Sequence, residues 1–283
     1  MKPYIEELRI KSWLKNIIVF IPLVFSHQLF NTDKLLETVI AFIAFCLVSS
    51  AVYVINDISD AKKDALHPVK RFRPIASGKI TIGKAAAFAA VLSAAGISVS
   101  FGANILTLIF TAVYMALNLA YTMQLKRIPL IDCFCIAVGF VVRVYAGGAA
   151  SGEPVSDWLF LTIVAMSLFM AFGKRRGEML KVGAEDGRPV LGHYDLAYLN
   201  GIVFVCAGLS VVFYSLWAMD SEMYMIYTVP IVIFIVCRYL LLIHGTKSHA
   251  DPTEVIFTDK TFLIACGIYV IITIALLYSG SMI

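Results

Sequence analysis

Charge is scarce in this sequence of 283 residues: only 15% are Asp, Glu, Lys or Arg, whereas 60% are hydrophobic. The mean hydropathy is correspondingly high, at +0.86. A water-soluble protein of this size needs a far larger polar surface. The composition therefore excludes a water-soluble protein and predicts a polytopic membrane protein.

Cysteine and histidine patterns of the metal-binding kind are also missing. The six cysteines contain no C-x-x-C and all lie in apolar runs, so they are expected to be small buried residues rather than a disulfide or zinc framework. The five histidines are scattered and show no metal-ligand spacing. No nucleic-acid partner is expected.

What the chain has instead is long apolar runs, which predict an all-α fold with nine transmembrane helices. The first run follows a long charged lead-in, and no small-residue cleavage site comes after it, so we interpret it as a retained helix rather than a signal peptide. The predicted spans lie near residues 17–30, 35–56, 82–101, 103–123, 131–150, 157–174, 196–218, 224–243 and 261–279.

The basic residues are distributed unevenly between the two ends of these spans. Of the 23 lysines and arginines, 20 precede span one or accompany the loops after spans two, four, six and eight. The other three are Lys34, Arg143 and Arg238. The positive-inside rule places the N-terminus and these loops in the cytoplasm, and nine spans leave the C-terminus outside. The sequence thus predicts one transmembrane domain over 1–283, with cytoplasmic loops near 57–81, 124–131, 174–195 and 244–260.

The densest cluster of charge, residues 53–79, contains a row of acids. On a helix, Asn56, Asp60 and Asp64 fall one turn apart, and Asp57 joins them on the same face. Acids held this closely repel each other, and a bound divalent cation would relieve that repulsion. Oxygen ligands without His or Cys favour Mg²⁺, which commonly bridges carboxylates to phosphate oxygens. These four residues, the acid row, form the predicted metal site.

Cations follow the acid row directly and recur in the other loops of the same side. Pro68 ends the helix, and a diphosphate bridged by Mg²⁺ suits the basic residues beyond it. Cations in such loops also anchor proteins to anionic lipid. Their convergence on one face favours a polyanion pocket below the hydrocarbon. The candidate substrate-binding residues are Lys15, Asn56, Lys70, Arg71, Arg73, Tyr121, Lys126, Arg143, Lys174, Arg175 and Arg176.

Arg143 differs from the other candidates because it lies inside span five, roughly 16 Å deep at 1.5 Å per residue. A cation at this depth is costly, so we expect it to face the bundle interior and to have a partner on another helix. It either meets an anionic ligand or locks helices together.

A metal-bound diphosphate next to hydrocarbon implies that diphosphate is a leaving group, stabilised by the metal and by cationic side chains. The electrophilic carbon belongs either to a polyprenyl chain or to an activated sugar. A phosphate acceptor needs positioning by cations more than a general base, so the excess of cations favours two phosphate-bearing substrates. A transporter of an anionic solute is a weaker alternative, because transporters place polar groups at the midplane.

The unbroken N-D-x-x-D-x-x-x-D at 56–64 resembles the first motif of the UbiA superfamily of intramembrane prenyltransferases. The resemblance implies nine helices around a central cavity open to the membrane. It also implies that Asp57, Asp60 and Asp64 hold Mg²⁺ and the diphosphate as catalytic residues. Superfamily members usually carry a second motif with a D-x-x-x-D core after span six, which residues 173–195 lack.

Within that superfamily, the chain is similar to the branch of decaprenyl-phosphate phosphoribosyltransferases. This branch implies transfer of 5-phosphoribose from phosphoribosyl diphosphate to a polyprenyl phosphate in the cell membrane, toward decaprenyl-phosphoryl-arabinose and cell-wall arabinan. Lys126, Lys174, Arg175 and Arg176 would then bind phosphates. The alternative is a superfamily prenyltransferase that moves a polyprenyl group from its diphosphate to an aromatic or other small acceptor. A homo-oligomer is possible. The similar stretches are 9–16, 56–78, 121–126, 139–149 and 173–178.

Overall fold

The computed structural model describes residues 2–182, 189–221, 224–245 and 258–279. Across these residues the chain is helical and contains no strand. Eight helical segments of the described chain are long and apolar enough to cross a membrane, which confirms an all-α, multi-pass architecture. Helices α1 to α10 run over Lys2–Glu7, Ile21–Phe25, Thr32–Leu66, Ile82–Phe101, Ile105–Met123, Ile131–Ser151, Asp157–Val182, Leu196–Asp220, Val229–His244 and Lys260–Ser279.

The predicted first span, near 17–30, is not a long α-helix. A 3₁₀ helix covers Ile10–Phe20, and the short helix α2 covers Ile21–Phe25. Pro22 lies in the first turn of α2, where its missing N–H is tolerated and where a new helix starts readily. The eight long helices therefore match the other eight predicted spans.

Helices α3 and α7 continue well beyond the apolar runs that predicted them. Helix α3 ends at Leu66, immediately before His67 and Pro68, so the acid row lies on a helix as expected. Helix α7 continues to Val182, so residues 174–182 are helical and not part of a loop. Neither extension contains a proline, and charged residues are compatible with helix, which explains why polarity did not end these helices.

The chain divides into two compact units. The first comprises Met1–Lys126 and Val142–Pro154, and the second comprises Arg127–Val141 and Val155–Ile283. In the first unit, one apolar cluster joins the 3₁₀ helix Ile10–Phe20 to α3, α5 and α6. A second cluster lies beside the acid row, between α3, the following loop and α4, and Tyr4 of α1 packs against it.

In the second unit, α7 and α8 pack against each other and α9 packs against α8. Phe169 of α7 meets Tyr239 of α9 edge-on, with ring centroids 5.2 Å apart. Tyr214 of α8 bonds the hydroxyl of Thr228 at 2.6 Å, which fixes the short 3₁₀ helix Met225–Thr228 before α9.

Candidate active site

The acid row lies on the last three turns of α3 and is bridged by two cations of the first unit. Arg73, in the loop after α3, donates from Nη1 to Asp57 at 3.0 Å and to Asp64 at 2.6 Å. Lys126, just after α5, donates from Nζ to Asp60 at 2.8 Å and to Asn56 at 3.4 Å. The structure thus brings together the four predicted metal ligands and two of the predicted substrate-binding residues.

A third cation, Arg9, reaches the row from the N-terminus. Its guanidinium donates to the second oxygen of Asp57 and lies 5.0 Å from the ring centroid of Tyr53. Arg9 has a left-handed backbone, with φ 49° and ψ 49°, which costs about 1–3 kcal/mol for a residue with a side chain. Contacts to α3 keep the segment in place: the Ser50 hydroxyl donates to Leu8 O at 2.8 Å and accepts from Trp13 at 3.0 Å.

Glu7, the last residue of α1, is a fourth carboxylate beside the row. It is only 2% exposed, and the groups that act on its carboxyl include Asp57, Arg9 and the backbone of Ile75. Burial, and then the negative charge of Asp57, raise the pKa of Glu7 to about 7. Sequence reasoning missed both Glu7 and Arg9, because their contacts to Asp57 join residues about fifty positions apart.

The donor chemistry fits a hard divalent cation, although no three acidic, His or Cys side chains of the described residues converge as a preformed metal cluster. The row offers oxygen atoms alone, which is the ligand type of Mg²⁺. Three aspartates are balanced by Arg9, Arg73 and Lys126. The oxygen-only donor set of the acid row is the observation that fits such an ion.

Several other predicted binding residues lie on the surface or are half-buried. Lys70 and Arg71 form part of a short 3₁₀ helix after α3, and the exposed Arg71 places its guanidinium 4.9 Å from the ring centroid of Phe72. Lys15, Tyr121 and Lys174 are half-buried, in the first 3₁₀ helix, in the last turn of α5 and in α7. Phosphate binding by these five residues stays a prediction.

Arg143 is buried in the first unit and has the partners on other segments that its depth required. It donates from Nε to Asn16 at 2.7 Å and from Nη2 to the Tyr114 hydroxyl at 2.7 Å, and its guanidinium lies 4.4 Å from the Tyr114 ring centroid. Asn16 donates in turn to Ser49 at 3.2 Å. These contacts favour the helix-locking alternative for Arg143.

Arg175, in the second unit, is fully buried and bonded to protein groups. Its Nε donates to Asp132, and its Nη1 donates to Glu178 at 2.9 Å. The Tyr194 hydroxyl donates to the other oxygen of Asp132 at 3.2 Å and accepts from the Leu130 amide at 2.6 Å. Burial raises the pKa of Tyr194 well above its ordinary value, so the hydroxyl stays protonated.

Arg176 is equally occupied within the second unit, where it donates to Asn200 at 2.6 Å and to the carbonyl of Ile243 at 2.6 Å. The expectation that residues 174–176 lie in an open loop is therefore wrong, because α7 continues through them. The geometry favours a structural role for Arg175 and Arg176, and phosphate binding by either remains a prediction.

Comparison with known proteins shows the family to which this chain belongs. The model of the UbiA prenyltransferase family matches residues 18–261. The chain belongs to this family. The resemblance carried by the acid row is thus confirmed, and with it the prediction that the protein is a transferase.

Relatives of this UbiA-family chain extend over most of its length. It is 36% identical to a decaprenyl-phosphate phosphoribosyltransferase of Corynebacterium glutamicum, with 97% of this chain and 86% of that protein covered. It is 34% identical to the enzyme of the same name from Mycolicibacterium smegmatis, with 92% and 87% covered. A UbiA homologue from Archaeoglobus fulgidus, solved with GPP and Mg²⁺, has the same fold, with a TM-score of 0.78 over 97% of this chain and 99% of that one, at 17% identity.

Proposed function

We propose that this protein transfers 5-phosphoribose from phosphoribosyl diphosphate to a polyprenyl phosphate in the membrane, releasing diphosphate, with Mg²⁺ held at the acid row. The observation that carries this proposal is the acid row interleaved with Arg9, Arg73 and Lys126. The names of the relatives from Corynebacterium and Mycolicibacterium support the same donor and acceptor.

The three cations supply the positive charge that two phosphate-bearing substrates require. Each is bonded to an aspartate in the structure and retains some exposure to solvent. With the carboxylates engaged by a bound metal ion, Arg9, Arg73 and Lys126 would be available to bind phosphate oxygens of the donor. Charge-assisted hydrogen bonds of this kind are worth about 1.5–3 kcal/mol each.

The proposed metal ligands are Asn56, Asp57, Asp60 and Asp64. A bound Mg²⁺ supplies positive charge against which the negative charge of the departing diphosphate is stabilised. The lipid phosphate oxygen attacks C1 of the ribose while the bond from C1 to the diphosphate oxygen breaks, so a single displacement inverts C1. The acceptor is already anionic, so the chain has to position it rather than deprotonate it.

We further propose that the chain has nine spans, with the acid row on the cytoplasmic side of the plasma membrane and the C-terminus outside. The first of these spans lies near residues 17–30, where the apolar end of the 3₁₀ helix Ile10–Phe20 continues into α2. The lipid product would then serve arabinan synthesis.

A second candidate is transfer of a polyprenyl group from its diphosphate to an aromatic acceptor. The description of the matching family as prenyltransferases favours it, and the Archaeoglobus neighbour was solved with a prenyl diphosphate and Mg²⁺. Both candidates use a metal-bound diphosphate as leaving group, so they differ in the carbon that is attacked and in the acceptor.

The test uses the purified full chain with Mg²⁺, phosphoribosyl diphosphate and a short polyprenyl phosphate. Diphosphate release and the mass of the lipid product are followed together. We expect a product heavier by one phosphoribosyl unit, and we expect Asp60→Asn to lose activity by about 100-fold or more, because the variant weakens metal binding. The matched control is Asp33→Asn, an exposed acid at the opposite end of α3, which should retain activity.

Two results would contradict the proposal. Turnover of a polyprenyl diphosphate with an aromatic acid, and none with phosphoribosyl diphosphate, would assign the protein to the second candidate. Product with the starting anomeric configuration at C1 would exclude a single displacement.

A further inference from the structure

His67 follows the last residue of α3 and caps the turn that comes next. Its backbone is extended, with φ −81° and ψ 134°, and its carbonyl accepts the amide of Arg71 at 3.2 Å. Its Nδ1 accepts the amides of Val69 at 3.1 Å and of Lys70 at 3.3 Å. An extended backbone with a side-chain acceptor for the amides two and three residues further on is the arrangement of a helix N-cap. A histidine thus fills the role that Asn, Asp or Ser usually has.

The cap depends on one particular atom of the His67 ring. Because Nδ1 accepts both amides, it carries the lone pair, and the proton of the neutral ring lies on Nε2. Pro68 comes directly after the cap, at the position where its fixed φ and missing N–H suit the start of a helix. The local sequence is therefore consistent with a capped turn that leads into the short 3₁₀ helix Lys70–Phe72.

Side-chain packing contributes little to this turn. Its apolar side chains, Leu66, Val69 and Phe72, are all strongly exposed. Packing begins again only at Ile75, which is buried in the apolar cluster between α3, the loop and α4. The stretch between the end of α3 and Ile75 is therefore held chiefly by local hydrogen bonds, and the His67 ring accepts two of them.

One chain of hydrogen bonds leads from the cap to the acid row. His67 holds the amide of Lys70, and the carbonyl of Lys70 accepts the amide of Arg73 at 3.0 Å. Arg73 then donates from Nη1 to Asp57 at 3.0 Å and to Asp64 at 2.6 Å. These aspartates lie two turns apart on α3, so one nitrogen reaches both only from an accurately placed backbone. The cap therefore determines where the guanidinium of Arg73 lies.

We propose that His67 is a positioning residue for the diphosphate group of the substrate: by capping the turn after α3, it holds Arg73 where the diphosphate binds. This inference rests on the diphosphate site of the proposed function and adds to it a residue that acts through another side chain. Apparent affinity falls with the fraction of molecules in the binding-competent arrangement, so a turn that is already formed binds the anion more tightly.

Asparagine and glutamine at position 67 separate the cap from the other properties of the ring. The Oδ1 atom of Asn is as many bonds from the backbone as Nδ1 of His, whereas the Oε1 atom of Gln is one bond further away. Asn is also among the most favourable N-cap residues. His67→Asn should therefore keep the cap, and His67→Gln should lose it, although both side chains are polar amides suited to an exposed turn.

Binding of inorganic diphosphate in the presence of Mg²⁺ tests this without turnover, by isothermal titration calorimetry on the full chain in nanodiscs. We expect His67→Gln to weaken binding by about fivefold, the factor that corresponds to loss of a typical cap, and His67→Asn to bind like the unaltered protein. His193→Gln is the matched control: the same change at an exposed histidine of the second unit should leave the affinity unchanged. Equal affinities of His67→Asn and His67→Gln would overturn the inference.

A double variant and steady-state kinetics distinguish positioning from a general loss of structure. In protein that also carries Arg73→Met, the affinities of His67→Asn and His67→Gln should differ by less than about twofold, because the cap acts through Arg73. With phosphoribosyl diphosphate as donor, His67→Gln should raise KM by about fivefold and change kcat by less than about twofold, since the acid row is intact. An undiminished difference in the Arg73→Met background, or a loss confined to kcat, would overturn the inference.

The same measurements separate failure of this inference from failure of the proposed function. Diphosphate binding that depends on the cap, without any phosphoribosyl transfer, would sink the proposed function and leave the role of His67 standing. Phosphoribosyl transfer with the same KM in His67→Asn and His67→Gln would sink the role of His67 alone.

Discussion

Gly147 is the glycine at which an added methyl group should destabilise the packing of the N-terminal segment most strongly. A Cβ built on Gly147 would lie 1.8 Å from the carbonyl oxygen of Val19 and 2.7 Å from its carbonyl carbon. Both atoms belong to backbone, so no side-chain rotation can relieve the clash. Ordinary contact begins near 3.4 Å, and the 3₁₀ helix Ile10–Phe20 must therefore move away from α6 by about 1.5 Å.

The energetic cost of Gly147→Ala has two parts. Overpacking of a well-packed interior costs about 1–3 kcal/mol. The displacement also strains the hydrogen bond from Arg143, one turn earlier on α6, to Asn16, and hydrogen bonds to charged groups contribute about 1.5–3 kcal/mol. Because only part of that bond is lost, we expect Gly147→Ala to lower the free energy of unfolding by about 2–4 kcal/mol.

The assay is reversible unfolding in mixed micelles by increasing SDS, followed by tryptophan fluorescence, to which Trp13 of the displaced segment contributes. Gly201→Ala is the control, since a Cβ there meets nothing within 4 Å in α8 and gains up to about 1 kcal/mol of helix propensity. Gly96→Ala should fall between them, because its nearest neighbour at 2.5 Å is the end of the Val48 side chain. Equal unfolding of Gly147→Ala and Gly201→Ala would refute the close approach of Val19 to α6.

Two further predictions concern the charged groups. Lys126→Met should reduce phosphoribosyl transfer by about 10- to 100-fold, because one charge-assisted contact is lost. Arg127→Met, the same change at the exposed neighbour, should have little effect. Equal rates for Lys126→Met and the unaltered protein would contradict the role of Lys126. Asp132→Asn should destabilise the second unit by about 3–5 kcal/mol, because the buried Arg175 loses its ion-pair partner. Asp33→Asn, at an exposed aspartate, is the control for SDS unfolding. Equal unfolding midpoints for the two variants would show that the Arg175–Asp132 pair does not stabilise the protein.

The sequence predicts features of this protein that depend on short-range order. Eight apolar runs correspond to eight long helices, because backbone hydrogen bonding in hydrocarbon allows little else. The acid row was found because residues three and four apart on a helix are neighbours by geometry. The ending of α3 before Pro68 follows from the same local rules.

Features that depend on contacts between distant segments could not be predicted in the same way. Glu7 and Arg9 form part of a basic and acidic lead-in whose pattern does not reveal that it docks beside Asp57. Hydropathy also predicted an end at 174 for the span that α7 forms, whereas the helix continues to Val182. Hydropathy measures transfer into lipid and does not indicate where a helix stops. The first span differs for a third reason: its 3₁₀ geometry accompanies a backbone contact between Val19 and Gly147 that only the folded chain displays.

Burial divides the predicted cations into two groups that sequence alone treats as equivalent. The side chains of Arg9, Arg73 and Lys126 are 26%, 29% and 15% exposed, so a substrate phosphate can reach all three. Asp57, the partner of Arg9 and Arg73, is only 2% exposed, so these two arginines can turn to a phosphate only if a bound metal ion compensates that aspartate in their place. Arg175 is 1% exposed between Asp132 and Glu178. Breaking a buried pair of that kind costs about 3–5 kcal/mol, so a phosphate would have to replace both acids at once. Cations that bind an incoming anion should therefore be those that the anion can reach and whose aspartate partners a metal ion can take over, and in the first unit these are the cations on the acid row.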